Sequence, residues 1–245
     1  MKVLILAAGG GKRLLPLTNE IPKCLLSINS KSILEYQLEA ICRSGLSDVV
    51  IVLGYRYEKV ISFLKKIGDK FRSLNIKIVI NGEFKDTNSG YSFWLAKNFL
   101  NDDVIYINGD LLFDASVLIN LKKSNFSNAI IIDRDVTKDS KGSRMVRALV
   151  NQEDFCIKNM SWDIEGNALA VGPVKLSKLF IKEMISCLDR DIVHGINNSY
   201  CYIEIGKIAK NDANLFGIDI KSGLWAEIDD FDDYEKARAI FKSIT

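Results

Sequence analysis

The feature that most constrains this chain is an alternation in its first half. Short apolar runs occur at Val3–Leu6, Asp48–Leu53, Lys77–Ile80 and Val104–Ile107. Short apolar runs rich in β-branched residues read as buried strands. Between them lie helical patterns. Ser32–Arg43 carries Ile33, Leu34, Leu38 and Ile41 at helical spacing, with Ser32 and Glu35 placed for a capping box and Gly45 to end the helix. Tyr57–Ile67 and the stretch through Phe93, Trp94, Ala96, Lys97 and Leu100 follow the same period. Strand–helix alternation of this kind predicts an α/β fold, a Rossmann-like and mostly parallel mixed sheet flanked by helices. In such sheets ligands gather outside the carboxyl ends of the strands.

The second half is less regular. Ala129–Asp133, Arg144–Val150, Phe155–Ile157, Ala168–Val174, Asn214–Ile220 and Leu224–Ile228 read as strands. Ser177–Leu188, Ser199–Ala209 and Asp232–Phe241 read as helices. The expectation is a single domain over residues 1–245 with one continuous sheet: a nucleotide-binding half at 1–133 and an α+β acceptor-binding half at 134–245.

At the first strand end, Leu6-Ala7-Ala8 runs into Gly9-Gly10-Gly11, then Lys12 and Arg13, with Pro22-Lys23 close behind. Glycines after a strand let backbone N–H groups approach a ligand, and adjacent cations suit a polyphosphate. The loop is not a P-loop, because Arg13-Leu14 follows the lysine where Ser or Thr belongs. Nor is it a dinucleotide fingerprint. Leu14 stands at the third glycine position, and no acidic residue ends the strand at Leu53.

Asp110 follows Asn108-Gly109 at another strand end, and Glu227-Ile228-Asp229-Asp230 follows a third apolar run. Asn108-Gly109 alone would suit a hairpin, but Leu111-Leu112-Phe113 lacks the alternation of a paired return strand. If the two acidic ends meet, Asp110 and Asp229 form a carboxylate pair beside the cationic loop. Such a pair suits Mg²⁺, which takes one or two carboxylates plus phosphate oxygens.

The bulk numbers remove other classes. A net charge of +2, from 33 basic and 31 acidic residues, gives no electrostatic case for nucleic acid or a membrane surface. The cysteines number five with no CxxC, which predicts reduced thiols and a cytoplasmic protein. His194 is the single histidine, and no GxSxG elbow accompanies it. No apolar run approaches the ~18 residues of a bilayer span.

The stretch Leu6-Ala7-Ala8-Gly9-Gly10-Gly11-Lys12-Arg13-Leu14, with Pro16, Thr18 and Pro22-Lys23, resembles a signature of the nucleotidyltransferases that activate sugar phosphates and phospho-alcohols. The resemblance extends to Asn108-Gly109-Asp110 and to Trp225-Ala226-Glu227-Ile228-Asp229. Within that family the chain looks most like the small phosphocholine and phosphonate cytidylyltransferases. Thr87-Asn88-Ser89-Gly90-Tyr91-Ser92 is similar to their base-side segment, and Trp225 precedes Glu227-Ile228-Asp229 as in that subgroup. Lys12 stands where the family often has Ser or Thr. The Glu-Lys-Pro segment of the sugar enzymes is absent, with only Ile157-Lys158-Asn159 nearby.

The resemblance implies a nucleotide-diphospho-sugar transferase-like fold and a set of roles. Lys23, Arg13 and Asp110 would be catalytic. Leu6, Ala7, Ala8, Gly9, Gly10, Gly11, Lys12, Asn88, Ser92 and Gly109 would bind nucleotide. Asp110 and Asp229 would hold Mg²⁺. Trp225, Glu227 and Tyr202 would face the acceptor. An aromatic cage for a quaternary amine would draw on Trp162, Tyr200, Tyr202 or Trp225, with Trp225 the preferred member. Arg144 and Arg147 would instead favour an acceptor carboxylate. The expected partners are CTP and a small phosphorylated acceptor, with no nucleic acid or membrane insertion and a homodimer possible. Two alternatives stand beside this reading: transfer to a sugar 1-phosphate, and a nucleotide-binding regulatory domain without turnover.

Overall fold

The computed structural model describes residues 1–135, 145–211, 214–221 and 223–244. Strands β1 (Lys2–Ala7), β2 (Ser27–Ile28), β3 (Lys31–Ser32), β4 (Asp48–Leu53), β5 (Asn75–Ile80), β6 (Val104–Asn108) and β7 (Leu111–Phe113) belong to the first part. So do helices α1 (Ile33–Arg43), α2 (Tyr57–Lys66), α3 (Ser89–Leu95) and α4 (Ala115–Lys123). Strands β8 (Ala129–Asp133), β9 (Arg147–Val150), β10 (Ile157–Ser161) and β11 (Ala168–Leu176) follow, then helices α5 (Lys178–Val193) and α6 (Cys201–Asn211). Strands β12 (Phe216–Asp219) and β13 (Trp225–Glu227) precede helix α7 (Phe231–Ile240).

The main sheet runs β10-β9-β11-β6-β1-β4-β5, with β8 joined to β11 and β12. β6, β1, β4 and β5 are parallel, while β11 runs antiparallel to β6, β8 and β9. Strands from both halves thus share one hydrogen-bonded sheet.

Period-two alternation sorts its side chains. Leu4, Leu6, Val50, Val52 and Tyr106 face a core that includes Phe93, Phe180, Met184 and Ile205 of α3, α5 and α6. Val3, Ile5, Val49, Ile51, Ile105 and Ile107 face the opposite core, with Leu34, Leu38 and Ile41 of α1 and Val117, Leu118 and Leu121 of α4. A third cluster, Leu14, Ile28, Tyr36, Leu112, Ile228 and Phe241, seats the C-terminal segment against the start of the chain.

Helix boundaries follow local chemistry. Ser32 Oγ accepts the Glu35 N–H at 3.2 Å. The expected reciprocal half of that box does not form, because the Glu35 carboxylate instead takes the Lys70 ammonium at 2.7 Å. Gly45, at φ +67°, ends α1 after Ser44. The complete capping box lies on α7, between Asp230 and Asp233.

Three local expectations change. Leu111–Phe113 is a strand after all. It pairs antiparallel with β13 across the chain, not back onto β6. Helix α4, capped by Asp114 Oδ1 on the Ser116 N–H at 2.8 Å, has no counterpart in the sequence reading. The strand near Phe155 begins at Ile157, because Phe155 itself sits at φ +60°. Arg144 lies outside the described residues.

Candidate active site

The carboxyl ends of β1, β5 and β6 open on a cleft of about 790 Å³. Its floor is built from two bends. The first is the glycine loop after β1, where Gly11 takes φ +61° and its carbonyl accepts the Thr18 hydroxyl at 2.8 Å. Tyr55, just past β4, holds the far side of the same loop. Its backbone N–H donates to Ala8 O at 3.0 Å, and its hydroxyl donates to Asn19 O at 2.6 Å with Thr18 O at 3.0 Å.

The second bend is Asn108–Leu111, between β6 and β7. Gly109 donates its N–H to Leu6 O at 2.8 Å. A Cβ on Gly109 would lie 2.7 Å from Ala7 Cβ and 2.8 Å from Leu6 O, so the two bends touch only because position 109 is bare. Gly109→Ala is expected to cost about 2 kcal/mol by overpacking. Thermal unfolding should register this as a fall of roughly 4–8 °C. An unchanged melting temperature would mean that the bends part without cost.

Gln37, fully buried on α1, holds the second bend from below. Its side-chain amide donates to Asn108 O and to Leu111 O, both at 2.8 Å. These bonds bracket Asp110. The sequence reading passed over Gln37, although a polar residue on the apolar face between Leu34 and Leu38 is the signal that would have found it.

The charged groups converge here. Lys23 Nζ lies 2.7 Å from Asp110 Oδ2 and 3.0 Å from Asp229 Oδ1, and Arg13 Nη2 lies 2.9 Å from the same Asp229 oxygen. Burial alone would lower the Lys23 pKa, but the two carboxylates outweigh it and hold the ammonium above its ordinary value. Asp229 is held below the usual carboxylate range: burial works the other way, and Lys23 and Arg13 prevail. Glu227, from β13, lines the same wall. Burial, with the Asp110 and Asp229 charges beside it, pushes its carboxyl up to about 8.

Asp110 Oδ1 is buried and has no hydrogen-bond partner. An orphaned carboxylate oxygen facing a polar cleft is what a cation or a ligand donor would satisfy. Among the described residues no three metal-ligating side chains converge. A cation there would have Asp110 and Asp229 as its protein ligands and would need phosphate oxygens or water for the rest.

Of the anticipated site residues, Leu6, Ala7, Ala8, Gly9, Gly11, Lys12 and Arg13 line the cleft, as do Lys23, Asn88, Ser92, Gly109 and Asp110. Tyr202, Glu227 and Asp229 do so as well. Two do not. Gly10 faces the Tyr55 ring, 3.8 Å from where its Cβ would stand. Trp225, the preferred aromatic of the acceptor reading, is corrected by the structure. Its indole N–H donates to Asp133 Oδ2 at 3.2 Å, and its ring packs on the core under α4. The aromatic residues in the cleft are Trp162, Tyr200 and Tyr202 with Phe84 and Tyr106. Trp162 and Tyr200 meet edge to face, 4.7 Å between centroids. The buried Tyr202 hydroxyl donates to Gly172 O at 2.8 Å, which leaves its ring as the surface it offers. Asn81, between β5 and α3, is a cleft residue that the sequence reading missed.

Comparison with known proteins bears on the chain as a whole. The family model described as "Nucleotidyl transferase" matches residues 2–150. The CTP:phosphoglutamine cytidylyltransferase of Campylobacter jejuni is 28% identical, over 96% of this chain and 98% of that one. The choline-phosphate cytidylyltransferase of Streptococcus pneumoniae is 25% identical over 99% of each. Both are named for cytidylyl transfer to phosphorylated substrates. The inositol-1-phosphate CTP transferase from T. maritima superposes with a TM-score of 0.79 at 20% identity, covering 100% of this chain and 97% of that one, and so shares its fold. No helix among the described residues is long and apolar enough to cross a membrane.

Proposed function

This chain belongs to the nucleotidyl transferase family, and from that premise we propose that it transfers CMP from CTP to a small phosphorylated amine or alcohol, or to a phosphonate, releasing pyrophosphate. The observation that carries the reading is the Lys23 ammonium set between Asp110 and Asp229 at the foot of a glycine loop. A binding-only module has no use for two carboxylates facing two cations there.

The acceptor oxygen is ionised at neutral pH, so the reaction needs positioning and charge neutralisation more than a general base. That oxygen attacks the α-phosphorus, and the bond from the α-phosphorus to the pyrophosphate oxygen breaks. Gly9 and Gly11 bring N–H groups to the phosphates, and Arg13 and Lys12 bind the departing pair. Lys23 lies between the α-phosphate and the acceptor phosphate and offsets their repulsion. Asp110 and Asp229 are the residues that would hold Mg²⁺, which supplies charge stabilisation at the phosphoryl oxygens when bound. Asn88 and Ser92 read the base.

The acceptor's other end lies against Trp162, Tyr200 and the Tyr202 ring. An aromatic wall of this kind suits a cationic or neutral headgroup. Trp162→Ala is therefore expected to raise the acceptor KM about tenfold, roughly 1.4 kcal/mol, and to leave the CTP KM unchanged. Equal changes in both constants would remove Trp162 from the acceptor site.

The deciding experiment measures pyrophosphate release from CTP, UTP, GTP and dTTP. Each is paired with phosphocholine, aminoethylphosphonate, a phosphorylated amide and hexose 1-phosphates. Turnover confined to CTP and a non-sugar acceptor is expected. Turnover on hexose 1-phosphates would overturn the acceptor class. Tight CTP binding without pyrophosphate from any acceptor would overturn the enzymatic reading.

A further inference from the structure

The cleft residues between β5 and α3 carry a fixed hydrogen-bond polarity. Asn81 is 1% exposed at the end of β5. Its Oδ1 accepts the backbone N–H of Glu83 at 2.9 Å. A backbone N–H only donates, so this bond decides which way the Asn81 amide points. Its Nδ2 then donates to Thr87 Oγ1 and to Ser92 Oγ, both at 3.0 Å. Thr87 passes its own proton to Glu83 O at 2.8 Å and is fully committed.

Ser92 is not. Its Oγ has accepted from Asn81, and its proton meets no acceptor among the described residues. Ser92 lines the cleft, so it offers that proton to a ligand. Asn88, four residues earlier at the N-cap of α3, shows the converse. Its Nδ2 donates to Asn198 O at 3.2 Å. A carbonyl only accepts, so the Asn88 amide is oriented too, and its Oδ1 has no partner among the described residues. The cleft therefore presents one acceptor and one donor, from the N-cap and the first turn of α3.

Cytosine presents the complement, an amino donor beside a ring-nitrogen acceptor. Uracil reverses both groups. We propose that Asn81 is the positioning residue that sets base choice: by donating to Ser92 it forces the serine to donate outward, and with Asn88 Oδ1 this selects cytosine over uracil. The inference rests on the CTP reading and names the residue behind its base preference.

Asn81→Asp tests it. The carboxylate keeps the Glu83 N–H but must accept from Thr87 and Ser92. The Ser92 proton turns inward, and its lone pairs face the cleft. The ratio of kcat/KM for CTP to that for UTP is expected to fall at least tenfold. The change should lie mainly in nucleotide KM, with acceptor KM unmoved. Ser92→Ala removes the donor without offering an acceptor. It should lower the ratio about fivefold with no gain for UTP, and an unchanged ratio would overturn the inference even if Asn81→Asp does not fold. Folded variants that keep the wild-type ratio would overturn the inference and leave the cytidylyl reading standing. A wild-type protein with no preference for CTP would overturn both.

Discussion

Lys23→Ala is expected to lower turnover about a thousandfold, roughly 4 kcal/mol of lost transition-state stabilisation. Two anions must approach within bonding distance in the proposed reaction. Lys23 is the cation between the carboxylates of the site, and its side chain is only 13% exposed. The loss should appear in kcat more than in CTP binding, because Arg13 and the glycine loop remain. The variant also tests the ligand-free state. Removing the ammonium leaves Asp110 and Asp229 facing each other with Arg13 alone nearby, and breaking a half-buried pair from one side destabilises. The melting temperature should therefore fall, and added Mg²⁺ should raise it more in Lys23→Ala than in the parent. Near-normal rates would remove Lys23 from the chemistry.

Asp110→Asn is expected to abolish turnover to within about one part in a thousand while leaving the fold intact. The new amide can keep its oxygen toward Lys23, so the bend held by Gln37 and Gly109 survives. Its NH2 group would then point where Asp110 Oδ1 now lies, buried and without a partner. A donor at that position repels a cation. Raising the Mg²⁺ concentration should accordingly fail to rescue the variant, and chelation with EDTA should silence the parent. Pyrophosphate release that persists in EDTA would overturn the assignment of Asp110 and Asp229 to a metal.

Much of this site was legible because its parts are local. The glycine loop, Pro22-Lys23 and the two acidic strand ends are each short, and strand–helix alternation puts strand ends on one edge. The pairing that closes the site was not legible. β7 and β13 are three residues each, too short for alternation to declare itself, and they lie outside the main sheet. For the same reason the facing of Trp225 could not be read. It belongs to a ribbon whose two sides are both covered: Trp225 with Leu111 and Phe113 meets the core under α4, and Ala226 with Leu112 meets the third cluster. Gln37 and Asn81 were missed for a different cause. Their roles depend on what their amides touch. Asn81-Gly82 at a strand end reads first as a turn, although an asparagine two residues before an open N–H is also the pattern that turns an amide inward. Helix α4 went unread because its apolar residues, Val117, Leu118 and Leu121, follow directly on a strand of similar composition.

The β7–β13 ribbon has a consequence for the protein during its own synthesis. Residues 2–150 carry the glycine loop, Lys23 and Asp110, and a ribosome delivers them first. Asp229 arrives only with the last strand, when β13 lays down beside β7. Until then Lys23 has only one of its two carboxylate partners, Asp110. The nascent chain lacks the second acidic group that completes the proposed reaction centre. On the proposed function, catalytic competence is thus tied to β13, and a protein cut short before Trp225 is expected to be inert however well its first strands have paired.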